Sequence, residues 1–178
     1  MLVGGAEERR RLLEAATSRM SSAELRRMHV DAGGEIKLGP GFRTETPAGI
    51  GLECMVSSEK VVTVEFRAGY LRKDGSAVTV NNGMTETEDT STTGLTEVSV
   101  VSGAEGEWLS QNLHHEFGHV IRAFYLGPPT QAELDKDDDR QRGRIYDMTT
   151  RLGRPRNEGA ARAVAVCNVD GGCRFEIQ

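Results

Sequence analysis

The sequence predicts an α+β fold on three observations: an apolar repeat of three and four between Trp108 and Leu126, a similar repeat near the start of the chain, and β-branched runs between them. One compact domain spanning 1–178 is expected. A chain of 178 residues with a hydrophobic fraction of 37% can build a single core. In order, the expected elements are N-terminal helices, a small and mostly antiparallel sheet, the helix over 108–126, and a C-terminal helix.

The first stretch, from about Glu7 to Met28, places Leu12, Leu13, Ala16, Met20, Leu25 and Met28 among many Glu and Arg, as a surface helix does. Ser21 followed by Glu24 has the spacing of a capping box, so this stretch should break and a second short helix start at Ser22. From Ala32 to Gly51 the Gly and Pro content predicts a connecting loop. Lys60–Tyr70 and Ser76–Val80 are expected as a hairpin across Asp74-Gly75, because Asp-Gly accepts the positive φ of a tight turn. Asn81 to Thr93 is polar and Thr-rich and is expected as an exposed loop, with Leu95–Val101 a further strand.

Between Trp108 and Leu126, Leu109, Leu113, Phe117, Val120, Ile121 and Phe124 make one apolar stripe of a helix. Gly127-Pro128-Pro129 stops it, since glycine suits the left-handed cap and proline cannot continue the ladder. His115 and His119 stand four apart on this helix, so both imidazoles project from one side and can share one metal ion. Glu116 between them completes HExxH, the pattern in which two histidines bind Zn2+ and the glutamate serves as general base towards a water acidified by the metal. Three of the four histidines fall between His114 and His119; His114 should point away from the shared side, and His29 is structural or exposed.

A catalytic zinc takes a third protein ligand, and no histidine follows His119. The candidates are therefore carboxylates: Glu133, Asp135, Asp137-Asp138-Asp139, Glu158, Asp170 and Glu176. Glu158 opens the small, apolar segment Asn157–Val166, which suits a helix packed against the first. The extended metzincin motif is absent, since Arg122 and Tyr125 stand where that motif needs glycine and histidine.

The HExxH helix followed by Asn157-Glu158-Gly159-Ala160-Ala161, which has the form NExxA, resembles the gluzincins. In those zinc peptidases a glutamate on a later helix completes the metal site. The resemblance implies a zincin-like fold with His115, His119 and Glu158 as zinc ligands, Glu116 as catalytic base and a protein or peptide as substrate. It further implies that an edge strand beside the motif helix pairs with the substrate, for which Leu95–Val101 is the candidate, and that Tyr146 donates to the developing oxyanion. The small size and short catalytic core are also similar to NleD-type zincin effectors, which bacteria inject into other cells. The rival class is a non-catalytic, zinc-stabilised interaction domain, in which a further ligand such as Asp170 or Cys167 closes the site.

Charge and composition narrow the partners. A net charge of −5 gives no general attraction for phosphate backbones, so nucleic acid is not expected. No apolar run is long enough for a membrane span, and Met1–Arg10 becomes charged before a signal-peptide core could form. The expectation is a soluble chain that, if it acts outside its cell, travels by a specialised secretion system or as part of a larger protein. Cys54, Cys167 and Cys173 lack the paired spacing of a zinc knuckle; Cys167 and Cys173 flank a turn-like stretch across which they could bridge in an oxidising environment.

Overall fold

The first helix, α1 (Ala6–Thr17), begins where Glu8 turns back to accept the Gly5 amide at 2.8 Å, and it buries Leu12, Ala15 and Ala16. The structure, a computed structural model, describes residues 1–126 and two strands over 163–167 and 173–177. The expected break and restart are present. Ser21 Oγ accepts the Glu24 amide at 3.2 Å, Glu24 Oε2 accepts the Ser21 amide at 2.7 Å, and α2 (Ser22–Leu25) starts there.

The stretch expected as loop over Ala32–Gly51 contains more than a loop. β1 (Met28–Val30) pairs antiparallel with β2 (Ile36–Leu38), and α3 (Pro47–Val56) follows. The start of α3 was written in the sequence, with Thr46 as N-cap accepting the Gly49 amide at 3.0 Å and Pro47 in the first turn. Its glycines hid it. Gly49 is needed because a Cβ there would lie 1.8 Å from Glu24 Oε1.

Glu24 is fully buried and ties α2 to α3. It accepts hydrogen bonds from the amides of Glu45 (2.7 Å) and Thr46 (2.9 Å) and from the Thr46 hydroxyl (2.8 Å), besides its cap bond to Ser21. Burial alone would raise its pKa, but the donors outweigh burial and hold the carboxyl below the usual range.

Beyond β3 (Val62–Phe66), a hairpin of β4 (Gly69–Leu71) and β5 (Ala77–Thr79) turns at Asp74-Gly75, with Gly75 at φ +83°. The hairpin is where the sequence indicated, but its first strand is β4. β3 belongs to a different sheet, with β7 (Thr96–Val100) and β6 (Gly83–Glu86) in the order β3-β7-β6. β7 runs parallel to β3 and antiparallel to β6, so this sheet is mixed, whereas the two-stranded sheets are antiparallel.

Two expectations need correction here. β7 is the central strand and is buried along its whole length, so it offers no free edge to a substrate. The edges are β3, which the N-terminal Met1–Val3 segment pairs with at Val64, and β6, in the segment expected as an exposed loop. The polar residues of β6 are accommodated because the sheet has one apolar and one polar side. Val62, Val64, Val98 and Val100 join the core with α1 and α4, while Glu86 and Glu97, paired across β6 and β7, lie on the other side. There Glu86 accepts Tyr70 Oη and Arg72 Nε, both at 2.7 Å, and Arg67 pairs with Glu65 and approaches Glu97 at 3.7 Å.

α4 (Gly106–Leu126) packs over the apolar side. Leu109, Leu113, Phe117, Val120 and Ile121 are buried and Phe124 is partly so, matching the predicted stripe. No described helix is long and apolar enough to cross a membrane.

The described C-terminal elements are strands. β8 (Ala163–Cys167) pairs antiparallel with β9 (Cys173–Ile177), Cys167 opposite Cys173, and the two strands come against α3 and α4 respectively. The helix expected over 157–166 is therefore not present at 163–166, where alternating alanine and valine gives the period of a strand rather than a helix.

Candidate metal centre

α4 separates two jobs by angle. At 3.6 residues per turn, Phe117 points roughly opposite His115 and His119, so the side that holds the core leaves the two histidines on the other. Both are half-buried, whereas Glu116, on the flank between the two sides, is buried.

The His115 and His119 Nε2 atoms are 3.1 Å apart, and their rings meet edge to face with centroids 4.8 Å apart. Two nitrogens bound to one tetrahedral zinc at about 2.0–2.1 Å would be roughly 3.3 Å apart, so the imidazoles are spaced as a shared ion requires. One ligand atom from each of His115, Glu116 and His119 lies within 4.8 Å of the others. The donor set therefore fits a metal ion. Two imidazoles and a carboxylate suit zinc but do not by themselves select it over other divalent transition metals.

Glu116 is held from the sheet side. The Thr85 hydroxyl, on β6, donates to Glu116 Oε2 at 2.6 Å and lies 3.2 Å from the Glu116 carbonyl oxygen. Gly83, two residues earlier on the same side of β6, leaves room for the carboxylate, since a Cβ there would lie 2.6 Å from Oε1. Neither residue was singled out from the sequence. The Gly83-Met84-Thr85 alternation was the available signal, and its polarity hid it within the Thr-rich stretch.

His114 points away from the metal side, as expected, and is fully buried. Its Nε2 lies 3.3 Å from the Ala16 carbonyl oxygen, joining α4 to the end of α1. Burial pushes its pKa down to about 4, so at neutral pH it adds no charge beside His115. His29 is exposed on β1. Glu158 and Tyr146 lie outside the described residues, as do Glu133, Asp135, Asp137, Asp138, Asp139 and Asp170. An apolar hollow lined by Leu52, Met55, Val62 and Phe117 lies on the core side of α4 and not at the histidines.

No family model, curated protein or solved structure matches this chain.

Proposed function

We propose that this chain is a zincin-like, zinc-dependent peptidase of the gluzincin type, with His115, His119 and Glu158 as ligands and Glu116 as base. The observation that carries the reading is the convergence of His115 and His119, Nε2 to Nε2 3.1 Å, with a buried carboxylate between them on one helix. A carboxylate that served only to solvate the helix would have no reason to be buried at that position.

When bound, zinc lowers the pKa of water and polarises a carbonyl. The residues of the chain supply the remainder. His115 and His119 would hold the ion, and Glu116 would take a proton from the attacking water at one carboxylate oxygen and return it to the leaving amine. Thr85, which donates to Oε2, would orient the carboxylate for that transfer. Tyr146 is the proposed oxyanion donor, and the substrate is a protein or peptide. Delivery into another cell is the proposed setting, on the resemblance to injected effectors alone.

Elemental analysis of the protein with its His119→Ala and Glu158→Ala variants tests the metal site. One zinc per wild-type chain, weakened in both variants, is the expected result. Glu116→Gln should keep the zinc yet lose turnover by about 100-fold or more on a fluorescence-quenched random peptide library. A Glu116→Gln protein as active as wild type would remove the mechanism. A zinc-free wild type under zinc-replete conditions would remove the whole reading.

A further inference from the structure

We infer that Thr85 is a positioning residue that keeps Glu116 a base instead of a metal ligand, with Gly83 providing the space in which it does so. The inference rests on the metal-site reading above. A carboxylate beside two ligating imidazoles faces two competing fates: it can enter the metal's ligand set at about 2.0–2.2 Å, or it can stand back by one water and move protons. Glu116 is close enough for either, since its ligand atom lies within 4.8 Å of those of both histidines.

Strand β6 decides between the fates. The Thr85 hydroxyl donates to Oε2 at 2.6 Å, a short bond to a carboxylate, which fixes the orientation of the group. Gly83 faces the rest of the side chain, and a Cβ there would lie 2.6 Å from Oε1, 2.8 Å from Cγ and 3.0 Å from Cδ. Any side chain at 83 would therefore push Glu116 out of this seat. Gly83 and Thr85 are two apart on a strand and so share one side, facing α4, while Met84 and Glu86 face the other. The strand is itself anchored, because Gly83 and Thr85 pair with Val100 and Val98, both fully buried in the central strand. The clamp thus stands on a sheet and not on a loop.

The test uses cobalt in place of zinc, because the visible d–d absorption of Co2+ weakens as its coordination number rises. In Thr85→Val, nearly isosteric with threonine, the cobalt content and melting temperature should stay close to wild type. Its visible absorption should fall by about twofold as the released carboxylate joins the metal. Turnover of the zinc form on the quenched peptide library should drop by about 100-fold, and Thr85→Ser should restore both signals. Gly83→Ala should reproduce the spectral change without removing the hydroxyl. In a Glu116→Gln background Thr85→Val should change nothing, since no carboxylate remains to move.

A Thr85→Val spectrum identical to wild type, or a change that persists with Glu116→Gln, would overturn the positioning role while leaving the metal site intact. A wild-type chain that takes up no cobalt would instead overturn the metal-site reading, and this inference with it.

Discussion

Glu24 carries more of this fold than its short helix suggests. It is a buried carboxylate whose compensation comes from backbone amides and one hydroxyl instead of a cation. Removing it strands several donors at the start of α3. Glu24→Ala should therefore cost about 3 kcal/mol by urea denaturation, well above the effect of an ordinary surface substitution. Its folded pKa is lowered, so its stabilising contribution is present above the unfolded carboxyl value of about 4.3 and is lost as pH falls through the folded value. Unfolding free energies measured between about pH 6 and pH 3 should fall less steeply for Glu24→Gln than for wild type. Equal slopes would mean that this group is not a source of acid lability. Of these residue-scale features the Ser21–Glu24 spacing was legible in advance, but the bonds to Glu45 and Thr46 were not, because they join positions more than twenty residues apart.

At the scale of elements, the β4–β5 hairpin gives the simplest check. Gly75 sits at φ +83°, where a Cβ meets no neighbour but the backbone is strained, so Gly75→Ala should cost about 1 kcal/mol from conformation alone. Chemical denaturation would measure it, and a neutral result would place the turn outside the cooperative unit. α4, α2, β7 and this turn were legible because each carries its own periodicity or cap within a few residues. α3, β6 and β8 were not, and the reasons differ. In α3, Gly49 gives way to Glu24; in β6, polar residues meet partners on an inner polar side; in β8, alanine gives a false helical reading beside alternating valines. The convergence of His115 and His119 belonged to the legible set, since four-residue spacing on an evident helix needs no tertiary information. The clamp from Thr85 and Gly83 did not, because it depends on which strand lies against α4.

At the scale of the whole molecule, α4 joins the apolar side of the sheet to α1 and α3 and is the element on which the core converges. Leu113 is fully buried at its centre. Leu113→Ala should cost about 3 kcal/mol by denaturation, a large fraction of the 5–15 kcal/mol typical of a single domain. A loss below about 1 kcal/mol would mean that this core relaxes to fill the space. The strand order could not be read in advance. Local pattern indicates that a strand exists, whereas its neighbour is chosen by how the connecting segments cross.

The parallel pairing of β3 with β7 has a consequence in time. Val62 meets Thr96 only after the chain has looped out and back through the β4–β5 hairpin and β6, and closing that loop loses entropy before its contacts form. The hairpin and the β6–β7 pair, with near neighbours in sequence, can assemble quickly, while the central seam waits for the slower encounter. Since Thr85 and Gly83 reach Glu116 only once β6 is seated against α4, the chemistry proposed for this molecule becomes possible late in its folding, after the scaffold around it has closed.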